Sequence, residues 1–276
     1  MSEAAVRLAA PVILVVALAV GILVDPSAGY EPSSTAVAAA DDLEAVLSEL
    51  PQDPLVLVGF DGDFGTYAEI RPAVRTLIAD LLARNARLAV VSLTPEGRAL
   101  ALAEEGRLRR LDPDLGSGRV LDLGFLPGSE AALVTLARAI DGGAPLESPS
   151  DPVDLAGADM VLVVGGNDLG PRSWVEQVVP RIGPIPMIAV TPTILLPEVQ
   201  PYLASGQLAA LIATPIEGAA YRAAVDDATL GRLGELGGPS ALAIGVGLAI
   251  AIAWLLAALV RRLAPGRSPR READRA

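Results

Sequence analysis

Histidine, cysteine and lysine are absent from this chain of 276 residues. No imidazole or thiol is available as nucleophile or general base, no zinc site of the Cys/His kind can form, and no disulfide can staple the fold. Without lysine there is neither Schiff-base chemistry nor a Walker A phosphate loop of the usual kind. Any metal must be held by oxygen, which points to Mg²⁺ or Ca²⁺. Aromatic residues make up only 3% of the sequence, so no stacking platform for sugars is evident. The hydrophobic fraction is 52%, enough for one sizeable core with residues left for other duties.

Some of those residues stand in two uncharged runs. Residues 8–24, LAAPVILVVALAVGILV, carry no charge over 17 positions, and residues 241–260, ALAIGVGLAIAIAWLLAALV, carry none over 20. At 1.5 Å per residue the second is about 30 Å long, the thickness of a bilayer's hydrocarbon core. Trp254 and then Arg261 and Arg262 close it as an aromatic and basic border would. The first run is short enough for a signal peptide, but no small-x-small cleavage site follows it closely, so it is read as an uncleaved signal anchor.

Charge orients the chain. The tail after residue 260 has six arginines against Glu272 and Asp274, whereas residues 25–238 hold 30 acids against 14 arginines. By the positive-inside rule both termini are cytoplasmic and the acidic middle lies outside the plasma membrane. The expected division is a cytoplasmic N-terminus (1–7), a first transmembrane helix (8–24), a linker with a short helix (25–52), an exoplasmic domain (53–238), a second transmembrane helix (241–260) and a basic cytoplasmic tail (261–276). The strongly negative domain would repel phosphates, so no nucleic-acid partner is expected. The tail suits anionic lipid headgroups. Ala241, Gly245, Ala249, Ala253 and Ala257 recur every four residues, a ridge of small side chains that lets another helix approach closely. Its partner is the first span, a second copy or another membrane protein.

Between the spans, apolar runs alternate with helical patterns. The expected strands are PLVLVGF, RLAVVSL, RVLDLGF, DMVLVVGG, PMIAVT and LAALIAT. The helices between them are YAEIRPAVRTLIADLLARN, PEGRALALAEEGRL, SEAALVTLARAI, PRSWVEQVVPRI and ILLPEVQPYLAS. One more precedes the first strand, near DDLEAVLSEL, and one follows the last, EGAAYRAAVDDATLGRL. Near-continuous apolar strands separated by helices predict a doubly wound, mostly parallel Rossmann-like α/β sheet of about six strands.

Sites in such sheets lie at the carboxyl ends of the strands. Those ends carry Asp61 and Asp63, then Ser92 and Thr94, Asp122 and Gly124, Gly165, Gly166, Asn167 and Asp168, Thr191 and Thr193, and Thr214 and Glu217. Two readings of the Asp-Gly-Asp stretch stand side by side: a reaction centre, or a turn in which the carboxylates accept backbone N–H groups and cap the next helix. The VVGGNDLGP stretch likewise reads as an anion cradle or as a tight turn with Pro171 opening a helix. LGFLPGSE reads as a turn with Gly128 or Ser129 near a helix cap, leaving Phe125 and Leu126 at the sheet's end, where they suit a partner surface.

Asp-x-Asp after the first strand, a hydroxyl after the second and Gly-Asn-Asp after a later one loosely resemble the haloacid dehalogenase-like phosphatases. That resemblance implies Asp61 as nucleophile, Asp63 as acid and base, and Mg²⁺ held by acids such as Asp61, Asp63 and Asp168. Two features depart from it. Phe64 intervenes before Gly65 and Thr66, and an arginine such as Arg172 must replace the family's lysine. GFDGDFG, LAVVSLTPEGRALA, LDLGFLPGSEAAL and GQLAALIATPIEGAAY resemble, over most of residues 54–222, a group of bacterial membrane-anchored α/β proteins. The resemblance implies the fold and the anchored topology and supplies no catalytic residue.

Three functions follow as expectations. The first is a non-catalytic exoplasmic module serving as accessory, assembly or interaction subunit of a membrane complex, with no cofactor. The second is a Mg²⁺-dependent phosphohydrolase using Asp61 and Asp63. The third is a small-ligand receptor with its pocket over Ser92, Thr94 and Gly165 to Asp168.

Overall fold

The computed structural model describes residues 32–225, apart from 117, 150 and 151. Each apolar run named above becomes a strand: β1 (Leu55–Asp61), β2 (Arg87–Ser92), β3 (Val120–Phe125), β4 (Ala158–Gly165), β5 (Met187–Val190) and β6 (Ala210–Ile212). They form one parallel sheet in the order β3-β2-β1-β4-β5-β6. β1 sits at its centre, paired with β2 from Leu55↔Arg87 to Gly59↔Val91 and with β4 as far as Asp61↔Gly165. All seven of its residues are buried, because helices cover both faces and neither side of the strand meets water.

The helices are α1 (Ser34–Ser48), α2 (Tyr67–Ala83), α3 (Pro95–Leu111), α4 (Glu130–Ile140), α5 (Pro171–Gln177), α6 (Leu196–Ala204) and α7 (Pro215–Ala224). Strand alternation sends Val56, Val58 and Phe60 to one face, where they pack with α1, α2, α3 and α7. Leu55 and Leu57 go to the other, against α4, α5 and α6. The chain winds from β1 outward to β3, then returns to the centre as β4 and winds the other way. The switch point therefore lies between β1 and β4, the place where doubly wound sheets open a crevice.

Helix boundaries follow local chemistry. The Thr94 side chain accepts the Gly97 N–H and Pro95 opens α3; Thr214 and Glu217 form a reciprocal capping box on α7, with Pro215 in its first turn. Three expected helices differ in extent; that over 217–233 begins at Pro215 and ends at Ala224, where Val225 is extended, and its residues 226–233 lie outside the described residues. The one over 171–182 stops at Gln177 and continues as a 3₁₀ turn, Val179–Arg181, since Pro180 has no N–H for the ladder. α1 begins at Ser34, capped by Ser33, well before the DDLEAVLSEL segment, because the alanines of residues 36–40 are strong helix formers. Among the described residues no helix is long and apolar enough to cross a membrane. Both expected spans, with the ridge of Ala241, Gly245, Ala249, Ala253 and Ala257 and the basic tail, lie outside the described residues.

Candidate functional site

Asp61 ends β1 beside the switch point, and its surroundings are built from three loops. Its side chain is fully buried. Oδ1 accepts the Leu93 N–H at 2.7 Å, the Thr94 N–H at 3.1 Å and the Thr94 hydroxyl at 3.3 Å, all from the β2–α3 junction. Its backbone carbonyl accepts the Asn167 side-chain amide at 2.7 Å and the Gly166 N–H at 3.3 Å from the loop after β4. Oδ2 is different: it is buried with no hydrogen-bond partner, and so is the indole nitrogen of Trp174. The indole lies near enough to favour the carboxylate weakly without making a bond of ordinary geometry. Burial is the dominant influence and outweighs these donors, so the Asp61 carboxyl is pushed up from 3.8 to about 6.

Asp63 is held in another way. Its Oδ1 accepts the Gly65 N–H at 2.8 Å and the Thr66 N–H at 2.9 Å, and the Thr66 hydroxyl donates to Oδ2. This Asx turn leads straight into α2, whose Tyr67 N–H reaches the Asp63 carbonyl. Partial burial raises its pKa, but the donors of Thr66 and Gly65 outweigh that and hold it below the ordinary carboxylate range. The two acids of one tripeptide thus have opposite environments. Asp61 joins strands, and Asp63 starts a helix.

The remaining sequence-derived candidates are only partly brought together. Thr94 and Asn167 converge on Asp61 as described. Gly165 and Gly166 permit close packing: a Cβ on Gly165 would sit 2.8 Å from the Gly170 backbone, and one on Gly166 would sit 2.7 Å from Asp63 Oδ2. Thr191 donates its hydroxyl to the Gly165 carbonyl at 2.8 Å. Ser92 is buried with its hydroxyl unpartnered, and alternation along β2 puts it on the face of Leu88 and Val90, opposite Asp61. Asp168 is exposed, and Asp61, Asp63 and Asp168 do not form a three-carboxylate metal group among the described residues. Arg172 turns outward and pairs with Glu176 at 3.1 Å and Glu198 at 3.7 Å.

Two contributors escape sequence reading. Trp174 packs directly against Gly59, where a Cβ would be 2.2 Å from the indole ring, and Gly97 brings α3 so close that a Cβ would be 2.3 Å from the Phe60 carbonyl oxygen. The available signal was a lone glycine inside an apolar strand, which marks a close approach without naming what approaches.

The same edge exposes apolar side chains. Six large hydrophobic side chains are exposed among the described residues, and four follow strands: Phe64 (64% exposed) after β1, Phe125 (44%) at the end of β3, Ile194 (75%) after β5 and Ile216 (43%) after β6. Leu126 is half-buried.

The fold and this edge define the chain as a Rossmann-like α/β protein with a parallel, doubly wound sheet. No protein-family model and no curated protein matches it. Among solved structures it is similar to a short-chain oxidoreductase from Pseudomonas aeruginosa PAO1 described as containing an atypical catalytic centre, at 14% identity and a TM-score of 0.32 over 63% of each chain. It is also similar to the trehalose-6-phosphate synthase OtsA, at 15% identity and a TM-score of 0.35, over 84% of this chain but only 50% of that one. Likeness at this level carries no functional argument.

Proposed function

We propose that this chain is a two-span plasma-membrane protein whose acidic extracytoplasmic α/β domain works without catalysis, as an accessory or assembly subunit of a membrane complex. The observation that carries this reading is the position of Asp61: fully buried, with one oxygen engaged by three donors of the β2–α3 junction and the other beneath Trp174. An in-line nucleophile needs an open approach to its attacking oxygen, whereas this carboxylate joins the centre of the sheet to its neighbouring loops. Asp63 is engaged in starting α2, with both of its carboxylate oxygens accepting from Gly65 and Thr66. The uncharged runs at 8–24 and 241–260, the ridge of small residues in the second, and the resemblance to bacterial membrane-anchored α/β proteins supply the membrane part of the reading.

The test is extraction of the full-length protein from native membranes in mild detergent through a tag on the 261–276 tail. A membrane protein co-purifying in fixed stoichiometry is the expected result. If the chain purifies alone and hydrolyses phosphate monoesters with Mg²⁺, and Asp61→Asn abolishes that activity while the protein still folds, the phosphohydrolase reading replaces this one.

A further inference from the structure

We propose that the carboxyl edge of the sheet is the docking face for a partner protein whose surface is apolar and rimmed by basic side chains. The inference rests on the accessory-subunit reading and names the face and chemistry of the contact. Phe64, Phe125, Ile194 and Ile216 belong to four different strand ends, β1, β3, β5 and β6, of one sheet. With strands about 4.8 Å apart, they span roughly 25 Å along one edge, the width of an interface rather than of a ligand pocket. The two other exposed large hydrophobics among the described residues, Val37 and Leu102, lie on α1 and α3, away from the strand ends.

Between the segment bearing Ile194 and the first turn of α7, which bears Ile216, lies a hollow lined by Glu69, Ala73, Val190, Thr191, Ile212 and Gly218. Glu69 ties its rim to the Ile194 loop by accepting the Thr193 N–H at 2.9 Å. The hollow's lining is mostly apolar, which suits a side chain inserted by a partner, the arrangement of an interface anchor.

Charge selects the occupant. Asp63, Glu96, Glu130 and Asp168 all lie at this edge, in strand-end loops or first helical turns. Two of its arginines are already engaged by acids of the same chain, Arg98 gripping Asp122 with two hydrogen bonds and Arg172 flanked by Glu176 and Glu198, whereas the half-buried Arg71 makes no ion pair among the described residues and leaves the acids of the edge in excess. Arg71 stands one turn into α2. The edge is therefore an apolar strip in a negative field. A second copy would bring like charge against like, and anionic headgroups or nucleic acid would be repelled in the same way. A protein surface carrying arginine or lysine around an apolar centre meets both features.

A photo-reactive p-benzoylphenylalanine, which captures C–H bonds within reach, is placed at position 64 or 194 of the full-length protein in its native membranes. Position 114, in the loop before β3 at the opposite edge, is the control. Expected is one discrete adduct from 64 and 194 and none from 114. With the cross-linked protein identified and purified, its affinity for the full-length chain is expected to fall at least about tenfold in Phe64→Asp or Ile194→Asp, as for a central apolar anchor. It is also expected to fall with added salt and in Glu96→Arg or Asp168→Arg. Circular dichroism melts establish that each variant folds. Adducts from 114 alone, adducts between two copies, or an affinity indifferent to salt and to all four substitutions would overturn the inference. If a stoichiometric partner co-purifies with all four variants and binds each with unchanged affinity, it docks elsewhere and only this inference fails; if nothing co-purifies with the unaltered chain, the accessory-subunit reading fails with it.

Discussion

On the face covered by α1, α2, α3 and α7, buried carboxylates are matched by arginines from neighbouring turns and helices. Glu104 on α3 receives Arg75 of α2 and Arg107, while Asp80 on α2 receives Arg84 and the Tyr221 hydroxyl of α7 at 2.6 Å. On the face covered by α4, α5 and α6 the buried core side chains are mostly leucine, alanine and valine, with Ile140, Ile182, Met187 and Trp174, and the carboxylate that faces them, Asp61, has no arginine among its partners. Burial raises the pKa of Glu104 and of Asp61 alike. The two guanidinium groups outweigh it at Glu104 and hold that carboxyl below the usual range, whereas at Asp61 backbone and indole donors do not, and the carboxyl rises to about 6. Burial alone therefore does not set the charge state; the neighbour supplied by the opposite helix does.

The apolar layer should break most sharply at its largest side chain. Trp174→Ala removes a fully buried indole from contact with β1 and is expected to destabilise the domain by about 4 kcal/mol, read by urea unfolding. Gly59→Ala alone should also destabilise, because its Cβ would sit 2.2 Å from the indole. In the Trp174→Ala background the same methyl enters vacated space. The double variant should then be no less stable than Trp174→Ala, and an additive loss would mean that the indole is not what excludes a side chain at Gly59.

The paired layer breaks through charge instead. Glu104→Ala leaves two guanidinium groups together with little access to solvent, their side chains 14% and 12% exposed, and is expected to cost about 3 kcal/mol at pH 7. Because the folded carboxyl titrates below its ordinary 4.5, its contribution is complete above that value and is lost as pH falls through the folded pKa. The gap between wild type and variant should accordingly narrow in acid. A gap constant down to pH 3 would show that packing of the side chain, not its charge, joins α2 to α3.

The layers themselves were legible before any coordinates, since each strand is an apolar run bounded by turn residues and each crossover a helical pattern. Pro180 and the alanines before Asp41 shifted helix ends, which are decided by one missing N–H or by propensity in a stretch that otherwise reads as linker. The position of Asp61 and Asp63 at the end of β1 was equally legible. The role of Asp63 rests on the neighbouring Gly65 and Thr66, but that of Asp61 was not legible, because its donors are 30 residues or more away: Leu93 and Thr94 reach it only once β2 lies beside β1. Trp174 is farther still along the chain, and nothing local links it to Gly59. Phe125 was recognisable as a candidate surface residue from its place before Leu-Pro-Gly, but the rim formed with Phe64, Ile194 and Ile216 appears only when the sheet order is known.

Asp61 sharpens the comparison further, since it is the one buried carboxyl of its layer among the described residues. The folded carboxyl holds its proton up to about pH 6, while the unfolded one releases it near 3.8, so between these values the folded state binds more protons. The resulting stabilisation is complete below pH 3.8 and is lost as pH rises past 6, a change of at most about 3 kcal/mol. The side-chain amide introduced by Asp61→Asn cannot titrate, yet its oxygen can still accept from Leu93 and Thr94. Whatever constant offset the amide introduces beside the Trp174 indole, the stability of the variant relative to wild type should rise by roughly 2 to 3 kcal/mol between pH 4 and pH 8. Glu104 is common to both proteins, so its opposite pH dependence cancels in the difference. Parallel pH profiles for the two proteins would mean that Asp61 is ionised throughout this range and that the donors around it outweigh its burial.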